Sequence, residues 1–246
     1  MGFVSTSIVL LAYKEAENLK ILLPKIHAVM ETLGAPYEIL VIDSAQPLDD
    51  TEAMCTANHA RYIPQEEPFY GGAFRTGIQY AQYDRIQVLD ADCSHDPAAM
   101  PAIQKKFDEG YDLVIGSRYV KGGVTHDAKS SQLMSALLNT VMRLCVGVKA
   151  RDISTSYRLY DAALLKSVTL ARNNYDVLQE VILRMKLARP SFSIGEVPIT
   201  FNKRAFGESK RQLFKFIRGY LITVCMLLTL RVKSQFSHKE QQTATR

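Results

Sequence analysis

Residues 85–92 read RIQVLDAD, a short, mainly apolar run of β-favouring side chains that ends on two aspartates one residue apart. A run of this kind between turn signals reads as a buried strand, so Asp90 and Asp92 stand at or just past its carboxyl end. Upstream, residues 72–82 have helical spacing. Downstream, Asp96-Pro97 starts a helix predicted over 97–109, with the aspartate as N-cap and the proline in the first turn. The same alternation continues outward. Residues 5–12 (STSIVLLA) and 37–43 (YEILVID) are strands, 60–63 is a shorter one, and 113–116 (LVIG) another. Leu19, Leu22, Leu23, Ile26, Val29, Met30 and Leu33 form one helix stripe, in which Pro24 is expected to cause a kink or a break. Residues 51–58 form a short helix that Asp49 or Asp50 can cap.

Strand–helix alternation predicts an α/β fold, a mostly parallel sheet flanked by helices. Ligands of such sheets sit beyond the carboxyl ends of the strands. Tyr13 and Glu15, Asp43, Asp90 and Asp92, and Ser117 and Arg118 all fall at such ends. Four strand ends therefore bring polar groups to one rim. Beyond Gly123 longer helices are predicted at 130–146, 161–170 and 176–186, followed by a β-rich stretch at 192–201 and a last helix from Glu208 to about Val232. The expected organisation is one α/β domain over 1–207, an amphipathic helix over 208–233, and a polar, disordered tail over 234–246.

A chain of 246 residues suits one such domain with appendages. Cys55, Cys93, Cys145 and Cys225 include no C-x-x-C pair, which argues against a disulfide framework and a zinc site and for a reducing, cytoplasmic setting. The apolar run at 8–13 stops at Lys14 and Glu15, too early for a secretory signal. From residue 203 onward ten Lys/Arg face only Glu208 and Glu240; this surplus of eight within a total of +5 leaves about −3 for the first 202 residues. A basic end suits an anionic surface or substrate and does not call for nucleic acid.

Carboxylates two residues apart in a turn can converge on one hard cation, with Ser94 near enough to help. Oxygen ligands suit magnesium or manganese, and such a metal would stabilise a departing diphosphate. The plainer reading is a pair of solvated loop acids, one of them capping the next helix.

Residues 71–97, GGAFRTGIQYAQYDRIQVLDADCSHDP, resemble the heart of glycosyltransferase family 2, and within it the dolichol-phosphate mannose synthase and polyprenyl-phosphate glycosyltransferase group. Other matching segments follow in the family's order: SIVLLAYKEAENL, YEILVID, DLVIGSRY, DISTSYRLY and the closing EVPITFNKRAFGESK. The similarity spans about residues 5–230. It implies a GT-A fold and an inverting transfer of a hexose from a GDP-mannose or UDP-glucose type of donor to a polyprenyl or dolichyl phosphate. By the same resemblance Ala12, Tyr13 and Glu15 line the nucleotide, and Asp43 meets its base or ribose. Asp90, Asp92 and Ser94 hold a magnesium or manganese ion and the diphosphate, with Asp92 and Arg118 as the catalytic pair. Arg204 and Lys210 close over donor diphosphate or acceptor phosphate.

The chain also departs from the family pattern. The turn after the second strand reads Asp43-Ser-Ala-Gln-Pro-Leu-Asp-Asp-Thr51 where the family has D-D-G-S-x-D-x-T, and the tryptophan often found in the acceptor region is absent. Two alternatives stay open. One is a soluble family member acting on a saccharide hydroxyl, which needs a general base such as Asp152 or Glu180. The other is an inactive nucleotide-sugar-binding paralogue.

In the last helix, Leu213, Ile217, Tyr220, Val224 and Leu227 make an apolar stripe with Arg211, Lys215 and Arg218 to its side. Its uncharged part, residues 219–230, reaches about 18 Å, too short for a bilayer core. It is expected either to lie in a membrane interface and dock a lipid phosphate, or to pack on the body or a second subunit.

Overall fold

The computed structural model describes residues 5–126, 129–203, 222–226, 228, 229 and 231. Its centre is a seven-stranded sheet in the order β3-β2-β1-β4-β7-β5-β8. The strands are β1 (Thr6–Leu11), β2 (Tyr37–Asp43), β3 (Arg61–Pro64), β4 (Arg85–Asp90), β5 (Leu113–Ser117), β7 (Arg158–Asp161) and β8 (Ile194–Pro198). A small parallel pair, β6 (Val124–Thr125) with β9 (Thr200–Phe201), lies apart from it. The helices are α1 (Ala16–Leu33), α2 (Thr51–Ala57), α3 (Phe69–Tyr80), α4 (Met100–Phe107), α5 (Lys129–Val146), α6 (Ala162–Lys166) and α7 (Val177–Ala188).

Every residue of β1 is buried, so the strand serves two cores. Val9 and Leu11 face one core, shared with α3, α5, α6 and α7; Ile8 and Leu10 face the other, shared with α1, α2 and α4. Gly77 of α3 is needed for the first packing, because a Cβ there would stand 2.4 Å from Cγ1 of Val9. Pro24 neither breaks nor ends α1. It sits on the exposed face, where the carbonyl that loses its amide partner can turn to water.

The segment DISTSYRLY carries a strand that periodicity did not reveal. β7 has only four residues and runs antiparallel between β4 and β5. Its reversal matters: residues 152–157, which precede it, arrive at the same rim as the carboxyl ends of β1, β2, β4 and β5. Two helices also differ in extent from expectation. α3 begins at Phe69, ahead of the glycine pair, and α6 stops at Lys166, where the expected helix ran to 170.

The boundary at 207, most of the 208–233 helix and the 234–246 tail lie outside the described residues. The part of the last helix that is described packs on the body. Val224 and Met226 join the first core, Thr223 Oγ1 donates to Asp176 at 2.6 Å, and Arg231 donates to the Leu144 carbonyl at the end of α5 at 2.9 Å. Its other side is open: Ile222 and Leu228 are exposed. On α5, Met134, Leu137, Val141 and Leu144 form an exposed apolar row. Among the described residues no helix is long and apolar enough to cross a membrane.

Candidate active site

The aspartate turn sits where the parallel strands end. Asp90 is the last residue of β4, and the next amide, Ala91 N–H, donates back to Leu11 of β1 at 3.3 Å. Asp92 is 4% exposed, and its Oδ1 accepts the Ser94 amide at 3.0 Å. Cys93 between them takes a left-handed φ of 62°, a strained value for a residue with a Cβ. The helix cap is Asp96, whose carboxylate accepts the Ala98 amide at 3.0 Å. Capping therefore does not explain Asp90 or Asp92. Ser94 Oγ is buried with no hydrogen-bond partner among the described residues, two positions along from Asp92. No group of three His, Cys, Asp or Glu side chains converges as a ready cation cage among the described residues.

At the end of β1, Ala12 is buried and its amide donates to Ile42 at 2.8 Å, while Tyr13 is half exposed. Lys14 turns the chain with φ 60°, and Glu15 accepts from Asn18 at the start of α1. Asp49 ties this corner to the lengthened turn. It accepts from the Ala16 amide at 3.0 Å and from the Thr51 hydroxyl at 2.7 Å, so it holds the starts of α1 and α2 together. Beside Ala12, at the end of β2, Asp43 is fully buried, and neither carboxylate oxygen has a hydrogen-bond partner among the described residues. Burial pushes its pKa up, and the neighbouring Asp49 adds to this. The Ser44 amide and the Tyr62 hydroxyl lie close enough to oppose the rise, without forming a well-shaped hydrogen bond.

Arg118, just past β5, lies against Asp152. Its Nε and one terminal nitrogen reach the two carboxylate oxygens at 2.7 and 2.9 Å, and its backbone amide adds a third bond. The guanidinium also bonds Ser154 and lies over the rings of Tyr119 and Phe201. Burial works to raise the Asp152 pKa, but Arg118 outweighs it and holds the carboxyl below its ordinary value. Glu180 is buried in α7. One oxygen accepts the amides of Ala171 and Arg172 at 2.9 and 2.8 Å, and the other faces Arg184. Both candidate bases are thus committed to holding loops.

Three residues at the site went unnoticed in the sequence. His95 lies under the aspartate turn, 1% exposed, between Tyr157 and Phe201. Tyr70 reaches Asp90 Oδ1 at 3.4 Å and stacks on Tyr175 with ring centroids 4.3 Å apart. The position of His95 one residue past Ser94 was a usable signal. The tyrosines lie more than a hundred residues apart, and no local pattern joins them.

Arg204 and Lys210 lie outside the described residues. The chain that leads to them is laid on the site: Ile199 bonds Ser117, His126 bonds Phe201, and the Asn202 amide donates to the Ser94 carbonyl at 2.9 Å. Lys203 therefore follows directly on a segment fastened to the aspartate turn.

Comparison with known proteins agrees with this geometry. Residues 7–169 match the family model described as Glycosyl transferase family 2. A polyprenol monophosphomannose synthase of Mycolicibacterium smegmatis is 30% identical over 83% of this chain and 80% of its own length. A dolichol-phosphate mannosyltransferase of Pyrococcus furiosus is 30% identical over 87% of this chain, which spans 62% of that protein. Among solved structures, mannosyl-3-phosphoglycerate synthase from Rubrobacter xylanophilus superposes with a TM-score of 0.73 at 17% identity, covering 95% of this chain and 75% of that one. Glucosyl-3-phosphoglycerate synthase from Mycobacterium tuberculosis, in complex with Mn2+, UDP and glucosyl-3-phosphoglycerate, gives 0.71 at 20% identity, covering 92% and 79%. At this identity those structures establish the GT-A fold. The extent of the family match and the 30% identity to whole relatives go further: the chain belongs to glycosyl transferase family 2.

Proposed function

We propose that this glycosyltransferase moves a hexose, mannose first among candidates, from a nucleoside diphosphate sugar to a polyprenyl phosphate, with inversion at the anomeric carbon. The observation that carries the acceptor class is the state of the two candidate bases. Asp152 is locked to Arg118 and Glu180 to the 171–172 amides and Arg184. A sugar hydroxyl needs a base within reach; a phosphate acceptor is already ionised and needs none. The names of the two relatives point the same way.

In the proposed reaction a phosphate oxygen attacks the anomeric carbon, the bond to the donor's diphosphate breaks, and the nucleoside diphosphate leaves. Asp43, buried and without a well-formed hydrogen bond among the described residues, receives donors of the base or ribose, and Ala12, Tyr13 and Glu15 line the nucleotide. Asp90, Asp92 and the buried Ser94 hydroxyl would supply hard oxygen ligands of the kind that suit a magnesium or manganese ion. A metal held there would offset the charge growing on the departing diphosphate. Arg118 organises the acceptor side through Asp152, and Arg204 and Lys210 supply positive charge to the phosphates. The exposed row of Met134, Leu137, Val141 and Leu144 suits contact with a membrane interface, and the basic composition of the last residues suits an anionic one.

The test is transfer from labelled GDP- and UDP-sugars to a short polyprenyl phosphate with magnesium or manganese, scored as label entering the organic phase. Asp92→Ala is expected to lower the rate on the order of a hundredfold, about 3 kcal/mol of lost charge stabilisation. Label that stays in the aqueous phase with every donor would refute the lipid-phosphate acceptor.

A further inference from the structure

We propose that His95 is a positioning residue for the Asp90–Asp92 turn, joining it to the approach of β7 and to the segment that leads to Lys203. The role rests on the glycosyltransferase reading given above for its consequence in catalysis, but its geometry stands independently. β7 pairs with β4 only as far as Val88 opposite Arg158. Carried on by two residues, that register would set Ser156 opposite Asp90, but the ladder has ended. The Ala91 amide points to β1, where it bonds Leu11. Amides alternate along a strand, so the Asp90 amide points into the gap between β4 and β7. There it meets His95 Nδ1 at 3.2 Å.

The imidazole stands where the strand partner is missing. Since Nδ1 accepts from an amide, it carries no proton, and the neutral ring bears its proton on Nε2. That N–H faces Thr155 Oγ1 at 3.4 Å, on the opposite side of the gap. The Thr155 hydroxyl also accepts the Tyr157 amide at 3.3 Å, which extends the tie to the residue just before β7. Protonation at Nδ1 would set two N–H groups against each other. Tyr157 and Phe201 pack against the ring, with centroids at 5.0 and 5.4 Å. Residue 95 also pairs through its backbone with Phe201, next to the Asn202–Ser94 bond. One side chain thus links the diphosphate turn, the reversed strand and the closing segment.

Two substitutions separate its two bonds. In His95→Asn the amide oxygen can take the place of Nδ1 and keep the Asp90 amide, while the link to Thr155 is lost. In His95→Gln the amide nitrogen can take the place of Nε2 and keep Thr155, while the Asp90 amide loses its acceptor. Amide exchange at Asp90 in the ligand-free protein is expected to stay slow in the wild type and in His95→Asn, and to quicken in His95→Gln. Manganese titrated in the presence of GDP, and separately of UDP, should bind the wild type and His95→Asn alike. His95→Gln should bind about 10–100-fold more weakly, the usual cost of losing a residue that orients a ligand. Melting temperatures of the two variants report general damage, which should be similar in both. Equal exchange in the two variants, or equal metal affinity in all three proteins, would overturn the role. If the wild type binds manganese with neither nucleotide, the donor reading fails, while the exchange experiment still decides whether His95 holds the turn.

Discussion

The Arg118 guanidinium and the Asp152 carboxylate meet at two points, 2.7 and 2.9 Å, with the acid fully buried and the arginine nearly so. Two strand ends that run in opposite directions are joined by this pair, since Arg118 leaves β5 and Asp152 precedes β7. A buried pair of this kind is sensitive to the loss of one partner. Asp152→Asn leaves the guanidinium without its counter-charge and is expected to cost about 3–5 kcal/mol at neutral pH, measured by denaturant unfolding. The pH dependence follows from the lowered pKa of Asp152. A depressed acid contributes fully above its unfolded pKa, about 4, and the contribution is lost as pH falls through the lower folded value. The gap between wild type and variant should therefore be constant above about pH 4 and close below it.

Asp43 has the opposite balance. Its raised pKa means that the folded protein holds the proton more tightly than the unfolded chain, so its ionisation costs stability as pH rises. Asp43→Asn removes that cost. The variant should melt about 2–4 °C higher near neutral pH, corresponding to about 1 kcal/mol, and bind donor nucleotide more weakly. A calorimetric melt and a nucleotide titration check the two halves. A lower melting temperature would show that the carboxylate has a partner in the folded protein.

Gly71 controls how the 171–175 loop lies on α3. Its amide donates to the Asn173 carbonyl at 2.8 Å, and a Cβ would stand 2.1 Å from the Arg172 carbonyl oxygen. Because that neighbour is backbone, it cannot yield by a rotamer change. Gly71→Ala is expected to cost about 1–3 kcal/mol and to move Tyr175 off Tyr70. Thermal melting and tyrosine near-ultraviolet circular dichroism report the two effects.

Leu137 and Leu144 stand on α5 at 60% and 71% exposure. If this row meets lipid, Leu137→Glu and Leu144→Glu should each reduce co-sedimentation with anionic phosphatidylglycerol vesicles on the order of tenfold or more, from about 1.5–3 kcal/mol of lost burial per side chain. Donor binding in solution should be unchanged. Unaltered sedimentation, together with a shift from dimer to monomer in light scattering, would assign the row to a second copy of the chain.

Sequence alone determined the alternation of β1, β2, β3, β4 and β5 with their helices, because a buried strand and an amphipathic helix each impose a period on the side chains. With the alternation came the rim, since parallel strands bring Asp43, Asp90 and Arg118 to one edge whatever the details of packing. The family motifs carried the chemistry proposed for these positions. Only the tertiary structure decided what each group there faces. β7 is four residues long, too short to impose a period, and its antiparallel run brought Asp152 against Arg118. Asp43 was left buried with no well-formed hydrogen bond among the described residues. His95 acquired its place because the β4–β7 ladder stops at Val88, and Tyr70 found Tyr175 across more than a hundred residues. Local sequence sets the period and direction of a segment. The partner of a buried polar group is chosen by whichever distant segment the folded core brings within hydrogen-bonding distance.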